Sequence, residues 1–415
     1  MNNKKVTALL CSTVLYLAPA IGAAQVCTQG NALTVQITGS NAVAYLPNGA
    51  WDVGATGIRV VTLEGSGSPT SIATAGVVDS CASNPTTQQT VCTATDSDVY
   101  LISGTTLTNT LQSNGTGTVY FSGGPCGNCA VAINTSDNVA YIEEAYSDSE
   151  VSNVPALQSL DLSTNKFGKP LQLINGLSES ILVDPVRNVL LSATEDSSYD
   201  IIKLNGRNNP SKEYGNFSES AEYDSSGEDC TTGFIIGSDE FTSNLFLADI
   251  SSVKFHNGTM IWSDNKQSLD NFPEFELLSA GTTGISVAPG THYAVLSGEF
   301  GGDVTGFLQL PDSVSFKKAA LKDFVAAYMP NDPNGYVFQN GYDPHSVTSY
   351  TSPNNGRAYA VLADWADGSP DYLAVVDIAA LMAAPRVVDL GTGKHLVKPS
   401  YNLISHGIVR YVRSY

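Results

Sequence analysis

The chain repeats one pattern of strands and turns at intervals of about 50 residues. Each copy reads as a short apolar strand, a turn rich in Asp, Asn and Pro, a second apolar strand, an acidic loop and a third strand. Copies begin near Ala130, Ser180, Gly233, Gly284 and Ser346. Since every copy leaves an unpaired strand edge, the copies must pack radially and close on themselves. The repeat therefore predicts an all-β fold, a β-propeller.

Two further blades bring the predicted number to seven. A less regular copy spans about residues 77–120, and the second further blade combines both chain ends. The C-terminal end has the pattern of a first strand at residues 405–410, with no second or third strand after it. The N-terminal end has the pattern of a second and a third strand, at residues 42–46 and 58–63, with no first strand before them. Joined, these segments would complete one blade, so N- and C-terminal strands are predicted to share it and close the ring. A β-sandwich is the main alternative, but it does not explain the period.

The N-terminal residues have the pattern of a secretory signal peptide. Lys4 and Lys5 precede an apolar run at residues 6–20, and small residues follow up to Ala24. This pattern predicts cleavage near Ala24, with residues 1–24 as signal and residues 25–415 as a single propeller domain. We therefore expect a secreted or periplasmic protein, and no later stretch is apolar for long enough to predict a membrane span.

One segment departs from the strand pattern. Apolar residues between Phe316 and Ala327 fall at helical spacing, which predicts a short amphipathic helix over residues 317–328. We place this helix in an insertion near residues 313–342, between two blades. Such insertions often shape a binding site, and a packing role is the alternative.

Six cysteines remain after removal of the signal with Cys11; they are Cys27, Cys81, Cys92, Cys126, Cys129 and Cys230. An even number in an exported chain predicts disulfides, although six cysteines allow 15 pairings and the sequence does not choose among them. Cys126 and Cys129 are spaced as in redox and metal motifs. They lack the βαβ context, the following histidine and the second cysteine pair that those motifs require, which favours a structural disulfide.

Acidic residues outnumber basic ones by 40 to 20, giving a formal net charge of −20. Such a surface repels nucleic acid and anionic membranes. It would attract cations or a basic partner, and solubility outside the cell is the simpler explanation. The expected partner is an extracytoplasmic ligand or protein of a kind that the sequence does not specify.

Three short segments carry a family resemblance: Asp343-Pro-His-Ser-Val347, Ser405-His-Gly-Ile408 and the strand ending Val375-Val-Asp377. Together with the strand-turn-strand pattern, they resemble the secreted propellers of the YVTN and lactonase-like superfamily, from about Ala130 to the C-terminus. The resemblance implies a seven-bladed fold and an extracytoplasmic location. It implies no single activity, because relatives include lactonases and proteins that only bind.

Blade geometry selects candidate metal ligands. In a four-stranded blade, first strands begin and second strands end at the same face of the disc. Aligned repeats place Glu179, His345 and His406 at the starts of first strands, around the mouth of the central channel. Two imidazoles and a carboxylate suit zinc, copper or nickel. The alternative is that the histidines hydrogen-bond the backbone at the channel.

The same alignment predicts an acidic face formed where second strands end; its members are Glu144, Glu195, Asp249, Glu299 and Asp364. An all-oxygen ring of this kind suits calcium, whereas solvated loop carboxylates are the simpler explanation. The acidic segment from Asp364 to Asp371 lacks the spacing and closing glutamate of an EF-hand loop, so an acidic hairpin turn is favoured there.

Two functions follow from these features. The first is a non-enzymatic binding module acting through its acidic face, since no recognisable catalytic motif is present and no catalytic residue is assigned. The second is a metal-dependent hydrolase of lactonase type, with its site at the channel mouth. The sequence leaves both open, because propellers host either function.

Overall fold

In the computed structural model, the described residues are 27–30, 32–48, 55–115, 119–121, 124–126, 128–147, 154–173, 175–176, 178, 180–194, 198–204, 210, 214–218, 223–239, 245–257, 259–262, 266–268, 282–298, 304–312, 323–330, 347–363, 372–388, 395–398 and 400–414. Their strands form seven principal antiparallel sheets arranged as blades in a ring. The predicted seven-bladed β-propeller is therefore confirmed. No helix among the described residues is long and apolar enough to cross a membrane.

The first strand in the chain, β1 (Thr28–Gln29), is short and precedes blade 1. Blade 1 contains β2 (Thr34–Thr38), β3 (Asn41–Pro47), β4 (Ile58–Glu64) and β5 (Thr70–Ile72). Blade 2 contains β6 (Val78–Asn84), β7 (Gln89–Ala94), β8 (Asp98–Ser103) and β9 (Thr106–Gln112). A hairpin of β10 (Val119–Phe121) and β11 (Gly124–Cys126) follows. Blade 3 contains β12 (Asn128–Asn134), β13 (Val139–Tyr146), β14 (Val154–Asp161), β15 (Lys166–Phe167) and β16 (Leu171–Gln172). The irregular second copy predicted between residues 77 and 120 is thus a complete blade.

The remaining blades follow the same plan. Blade 4 contains β17 (Ser180–Asp184), β18 (Val189–Thr194), β19 (Ser198–Lys203) and β20 (Tyr214–Ser218). Blade 5 contains β21 (Tyr223–Asp229), β22 (Phe234–Asp239), β23 (Leu245–Asp249) and β26 (Lys266–Ser268), with the hairpin β24 (Lys254–His256) and β25 (Thr259–Ile261) inserted. Blade 6 contains β27 (Thr282–Val287), β28 (Tyr293–Gly298), β29 (Val304–Gln309) and β30 (Asp323–Tyr328). Blade 7 contains β31 (Val347–Thr351), β32 (Ala358–Ala363), β33 (Tyr372–Asp377) and β36 (Val409–Arg413). Helix α1 (Ile378–Met382) and the hairpin β34 (Arg386–Val388) and β35 (His395–Val397) lie between β33 and β36 in the chain, and the hairpin joins the sheet of blade 6.

The hydrophobic core is divided among the seams between neighbouring blades. Each described cluster of buried apolar side chains joins two adjacent blades, as Leu191 of blade 4 and Ile235 of blade 5 do. Strands are therefore apolar on both faces, one facing each neighbour. This arrangement explains why the repeats read as continuous apolar runs and not as alternating ones.

The turn between first and second strands is the most regular sequence signal of the repeat. Asn84, Asn134 and Asp184 end the first strands of blades 2, 3 and 4, and their side-chain oxygens accept the amide N–H two residues later at 2.8–3.0 Å. Four residues after each comes a positive φ, as at Asn138 and Asn188. Asn tolerates this conformation better than most residues, so the turn is encoded locally. We call the face that carries these turns the lower face and the opposite one the upper face.

The ring closes differently from the prediction. The C-terminal strand β36 pairs with β33, as the outermost strand of blade 7. Blade 1 has its own first strand, since β2 pairs with β3. Closure comes from side-chain packing: Leu46 and Val61 of blade 1 share one buried cluster with Val361 of blade 7. The predicted blade shared by both chain ends is wrong, because residues 34–38 alternate strongly enough to form the inner strand.

Blade 5 was also predicted out of register. The copy that begins near Gly233 was expected to start with the first strand of its blade, but the strand there, β22, is the second, because it pairs with both β21 and β23. The inner strand β21 was missed since it is polar, and its buried residues include Ser225, Ser226 and Glu228. Polar side chains are tolerated there because the strand borders the central channel.

The predicted helix over residues 317–328 is wrong for the part that the structure describes. Residues 323–328 form β30, which pairs with β29 along its full length. Phe324 and Ala326 pack into the seam with blade 5, whereas Val325 and Ala327 pack into the seam with blade 7. A strand buried on both faces has apolar residues at every position, so its pattern also satisfies helical spacing.

Two hairpins join neighbouring blades at their outer edges. β25 pairs in parallel with β20 of blade 4, and β35 pairs in parallel with β30 of blade 6. Each hairpin is inserted after the third strand of the following blade. Arg386 on the second hairpin also forms an ion pair with Asp323 of blade 6 at 2.5 Å. These hairpins cover outer edges that would otherwise be exposed.

Candidate functional site

The chain's own N-terminal segment occupies the central channel. β1 pairs antiparallel with β17, the innermost strand of blade 4, with Thr28 opposite Val183 and Gln29 opposite Leu182. Gly30 then donates its N–H to the Ile181 carbonyl at 3.1 Å. Because β17 already pairs with β18 on its other side, β1 lies on the channel side of the ring.

This segment contacts the inner strands of several blades. The Thr28 hydroxyl donates to the Ile133 carbonyl and accepts the Ile133 N–H, both at 2.7 Å. The Gln29 side-chain amide donates to the Ser226 carbonyl of blade 5 at 2.6 Å and to the Ile285 carbonyl of blade 6 at 2.5 Å. At Gly30, a Cβ atom would overlap the carbonyl of Val131. The channel is thus filled by hydrogen-bonded protein from blade 3 to blade 6.

A disulfide anchors this segment at the lower face. Cys27 is bonded to Cys230, with their Cα atoms 5.7 Å apart and a sequence separation of 203. Cys81 and Cys92 form a second disulfide between directly paired strands of blade 2. Cys129 is disulfide-bonded as well. The predicted disulfides are confirmed for these five residues, while the Cys126 side chain lies outside the described part of the chain.

Buried acidic groups surround the anchor at the ends of β17 and β21. Asp184, Glu228 and Asp229 are all less than 5% exposed. Arg187 donates to Asp184 at 2.7 Å and lies 3.8 Å from Glu228, and His292 Nδ1 lies 2.6 Å from Asp229. Burial, followed by the neighbouring charge of Asp184, raises the pKa of Glu228 well above its ordinary value. Burial therefore favours the neutral form of the Glu228 carboxyl, and the charge of Arg187 acts in the opposite direction.

Potential metal-ligand atoms of Cys27, Asp184 and Cys230 lie within 4.8 Å of one another. A cysteine binds a metal ion as its thiolate, and here the sulfur atoms of Cys27 and Cys230 are bonded to each other. In the oxidised protein this group therefore acts as a structural link. Asp184 itself caps the turn after β17 by accepting the N–H groups of Val186 and Arg187.

Of the three predicted transition-metal ligands, the structure describes His406 alone. His406 is exposed and lies in the turn before β36, the outermost strand of blade 7, so it was wrongly placed at the channel mouth. Its ring stacks on Tyr401 with centroids 4.2 Å apart. Tyr401 lines a cavity of about 440 Å³ at the outer edge, beside Tyr328. His345 and Glu179 lie outside the described residues.

The predicted acidic face is divided. Asp249 ends the third strand of blade 5 and lies at the lower face, so its assignment to the upper face was wrong. Its carboxylate accepts the Ser251 N–H at 2.8 Å and caps a turn. Glu144 ends a second strand as predicted, but it is fully buried. Glu195, Glu299 and Asp364, with the acidic segment up to Asp371, lie outside the described residues.

Glu143 and Glu144 are neighbours in the sequence, but their side chains enter different seams. Side chains on a strand alternate between faces. Glu143 continues the row of Val139 and Tyr141, which packs between blades 3 and 4, whereas Glu144 continues the row of Ile142, which packs between blades 2 and 3. Both glutamates are 0% exposed.

The seam around Glu143 contains a second buried carboxylate, that of Asp200. On blade 4, Ser192 and Asp200 lie opposite each other on paired strands and continue the rows of Leu190 and Ile202, which pack into the same seam as Glu143. Glu143 Oε2 accepts the Ser178 N–H at 2.8 Å, and Asp200 Oδ1 accepts the Asn175 amide at 2.6 Å.

Burial dominates the titration of Glu143 and raises its pKa to about 8. The charge of Asp200 raises that pKa further, while the Ser192 hydroxyl and the Ser178 amide lower it. The Ser192 hydroxyl faces the carboxylate, yet neither Ser192 Oγ nor Glu143 Oε1 has a partner in hydrogen-bonding geometry among the described residues. This pocket therefore holds oxygen atoms whose lone pairs are not satisfied.

Glu144 has different surroundings. Its pKa is raised to about 7 by burial, and the Ser113 hydroxyl and the amides of Asn114 and Gly115 act in the opposite direction. Neither carboxylate oxygen of Glu144 has a partner in hydrogen-bonding geometry among the described residues. The difference between the two glutamates is that the charge of a second buried carboxylate, Asp200, acts on Glu143.

No protein-family model matches this chain, and no curated protein matches it. Of the resemblance to YVTN and lactonase-like propellers, the structure supports the seven-bladed fold alone.

Sequence reasoning missed the channel segment and the carboxylate pocket. Thr28, Gln29 and Gly30 carry no strand pattern, and the one available signal was Cys27, a cysteine close to the predicted mature N-terminus. The pairing of Glu143 with Asp200 depends on how blades 3 and 4 pack, which no local pattern reports.

Proposed function

We propose that this protein is an exported binding propeller that recognises a cationic ligand at its upper face. The observation that carries the proposal is the filled channel. Thr28, Gln29 and Gly30 occupy the space in which channel-mouth enzymes bind substrate, and the Cys27–Cys230 disulfide holds them there. Recognition is thereby left to the faces of the disc. Disulfides also support an oxidising, extracytoplasmic location after signal cleavage.

Charge supports the choice of ligand. The chain has 40 acidic and 20 basic residues. The second strands of blades 4, 6 and 7 end at Thr194, Gly298 and Ala363, and in each case the next residue in the sequence is acidic. Clustered carboxylates on one surface attract cationic ligands and accelerate their association. Glu195, Glu299 and Asp364 are the proposed ligand-contacting residues.

Binding of a lysine-rich peptide to the mature protein tests this proposal. We expect affinity to fall as salt rises, and to fall further in the triple variant Glu195→Gln, Glu299→Gln, Asp364→Asn. The matched control is Asp137→Asn, Asp161→Asn, Asp249→Asn, which removes the same charge from lower-face turns. Equal losses in both variants would show that binding follows net charge alone, and would refute a specific face.

The alternative is a metal-dependent hydrolase of lactonase type. A panel of lactone and ester substrates, assayed with zinc, manganese and calcium, examines it directly. We expect no metal-dependent turnover. Metal-dependent turnover by the protein with its channel segment intact would require a site elsewhere on the disc. That result would replace the binding proposal.

A further inference from the structure

The seam between blades 3 and 4 has the composition of a cation site. Glu143 enters it from blade 3, and Asp200 and Ser192 enter it from blade 4. All three residues are 0% exposed. Two carboxylates buried together repel each other strongly, so the folded protein must neutralise them with a proton or with a cation.

Unsatisfied oxygens lie in this seam, as they do at Glu144 in the neighbouring one, and here a second buried carboxylate, that of Asp200, lies near them. Glu143 Oε1 and Ser192 Oγ face the same space without a hydrogen-bond partner among the described residues. Among the described residues, the groups that act on Glu143 are Asp200, Ser192 and the Ser178 amide, and none of these carries a positive charge. At the lower face, by contrast, Arg187 lies beside the buried carboxylates and supplies that charge.

We propose that Glu143, Asp200 and Ser192 bind one calcium ion between blades 3 and 4. The side-chain donors are oxygens of hard character, which suit calcium or magnesium better than zinc or copper. Calcium tolerates an irregular set of six to eight oxygens, whereas magnesium requires near-octahedral geometry. An irregular seam between two twisted sheets favours calcium. This site lies inside the ring and is independent of the binding function proposed for the upper face.

Solvent access and structural effect both fit this assignment. Asn175, whose amide contacts Asp200, is partly exposed, so the pocket lies one side chain from solvent. A bound ion would link a second strand of blade 3 to the second and third strands of blade 4. Since those strands are otherwise joined across the seam by apolar packing, calcium would stabilise the folded ring by mass action.

The test uses the full mature protein, stripped with a chelator and titrated calorimetrically with calcium chloride. We expect one calcium per chain and a higher unfolding temperature with calcium than without it. Glu143→Gln should weaken calcium binding by roughly tenfold or more, because it removes a charged ligand. Glu144→Gln is the matched control, since it changes the adjacent residue in the other seam and should leave calcium affinity unchanged.

A second variant covers the case in which Glu143→Gln does not fold. Ser192→Ala keeps both carboxylates and should weaken calcium binding severalfold. The proposal fails if wild-type protein binds no calcium, if Ser192→Ala and every folded Glu143 variant bind it as wild type does, or if magnesium binds as tightly as calcium. In the first case the carboxylates share a proton. In the second case the ion binds elsewhere, for instance at the upper face.

Discussion

Glu64 of blade 1 accepts a hydrogen bond from the hydroxyl of Tyr350 of blade 7 at 2.9 Å, across 286 residues of sequence. The same carboxylate accepts from Ser352 at 2.8 Å and from Asn354 at 2.7 Å. Arg410 extends the contact by donating to the Leu63 carbonyl. The Glu64 carboxylate thus accepts hydrogen bonds from three side chains at the seam where the ring closes.

Removing that carboxylate should weaken the closing seam. Glu64→Ala leaves three donors without their acceptor, and we expect it to lower the free energy of unfolding by about 2–3 kcal/mol. Tyr350→Phe removes one donor and should cost about 1 kcal/mol. Urea denaturation of both single variants and the double variant measures the coupling. Strictly additive losses would show that the pair does not interact.

The two disulfides should differ in their contribution to stability. Cys27–Cys230 spans 203 residues and Cys81–Cys92 spans 11, so the first restricts the unfolded chain far more. In the chain-entropy description, removing the first by paired serine substitution should cost about 2–3 kcal/mol more than removing the second. Denaturant titration of the two double variants gives the difference. Equal losses of stability would mean that the Cys27–Cys230 disulfide acts through local contacts alone.

Gly30 should tolerate no side chain. A Cβ there overlaps backbone atoms of Val131, which cannot move without disturbing blade 3. Gly30→Ala should therefore cost about 2–3 kcal/mol and increase hydrogen exchange at residues 27–30. Gly39→Ala is the control, because nothing lies within 4 Å of its Cβ and only its positive φ of 61° is unfavourable. Unchanged hydrogen exchange at residues 27–30 in Gly30→Ala would contradict the close packing of this segment in the channel.

Glu144 should make stability depend on pH. Its pKa is about 7 when folded, against an ordinary value of 4.5. Between these values the unfolded chain loses the proton and the folded protein keeps it, so this group lowers stability as pH rises from about 4.5 to 7. Glu144→Gln removes that effect.

Relative to wild type, Glu144→Gln should therefore gain up to about 3 kcal/mol of stability between pH 4.5 and pH 8. The measurement is urea denaturation of both proteins at pH 4.5, 6 and 8 with a calcium chelator present. Glu143 is present in both proteins, so its own titration cancels. A difference between the two proteins that does not change with pH would refute the raised pKa.

Local signals were sufficient to predict the blades, and they failed where the environment was unusual. The turns at Asn134 and Asp184 can be predicted from the sequence, because the side-chain oxygens of Asn and Asp accept hydrogen bonds from nearby backbone N–H groups. The polar strand β21 was missed since it borders the channel, and β30 was mistaken for a helix because both of its faces are buried. The candidate metal ligand His406 was misplaced when β36 was assumed to be an inner strand.

By itself the sequence determined the repeat, the blade and the propeller, since strand and turn preferences act within a few residues. Tertiary structure alone decided that Gln29 fills the channel, that Glu64 closes the ring and that Glu143 meets Asp200. These relations join residues far apart in the chain. They depend on how whole blades pack against one another, and no local pattern records that packing.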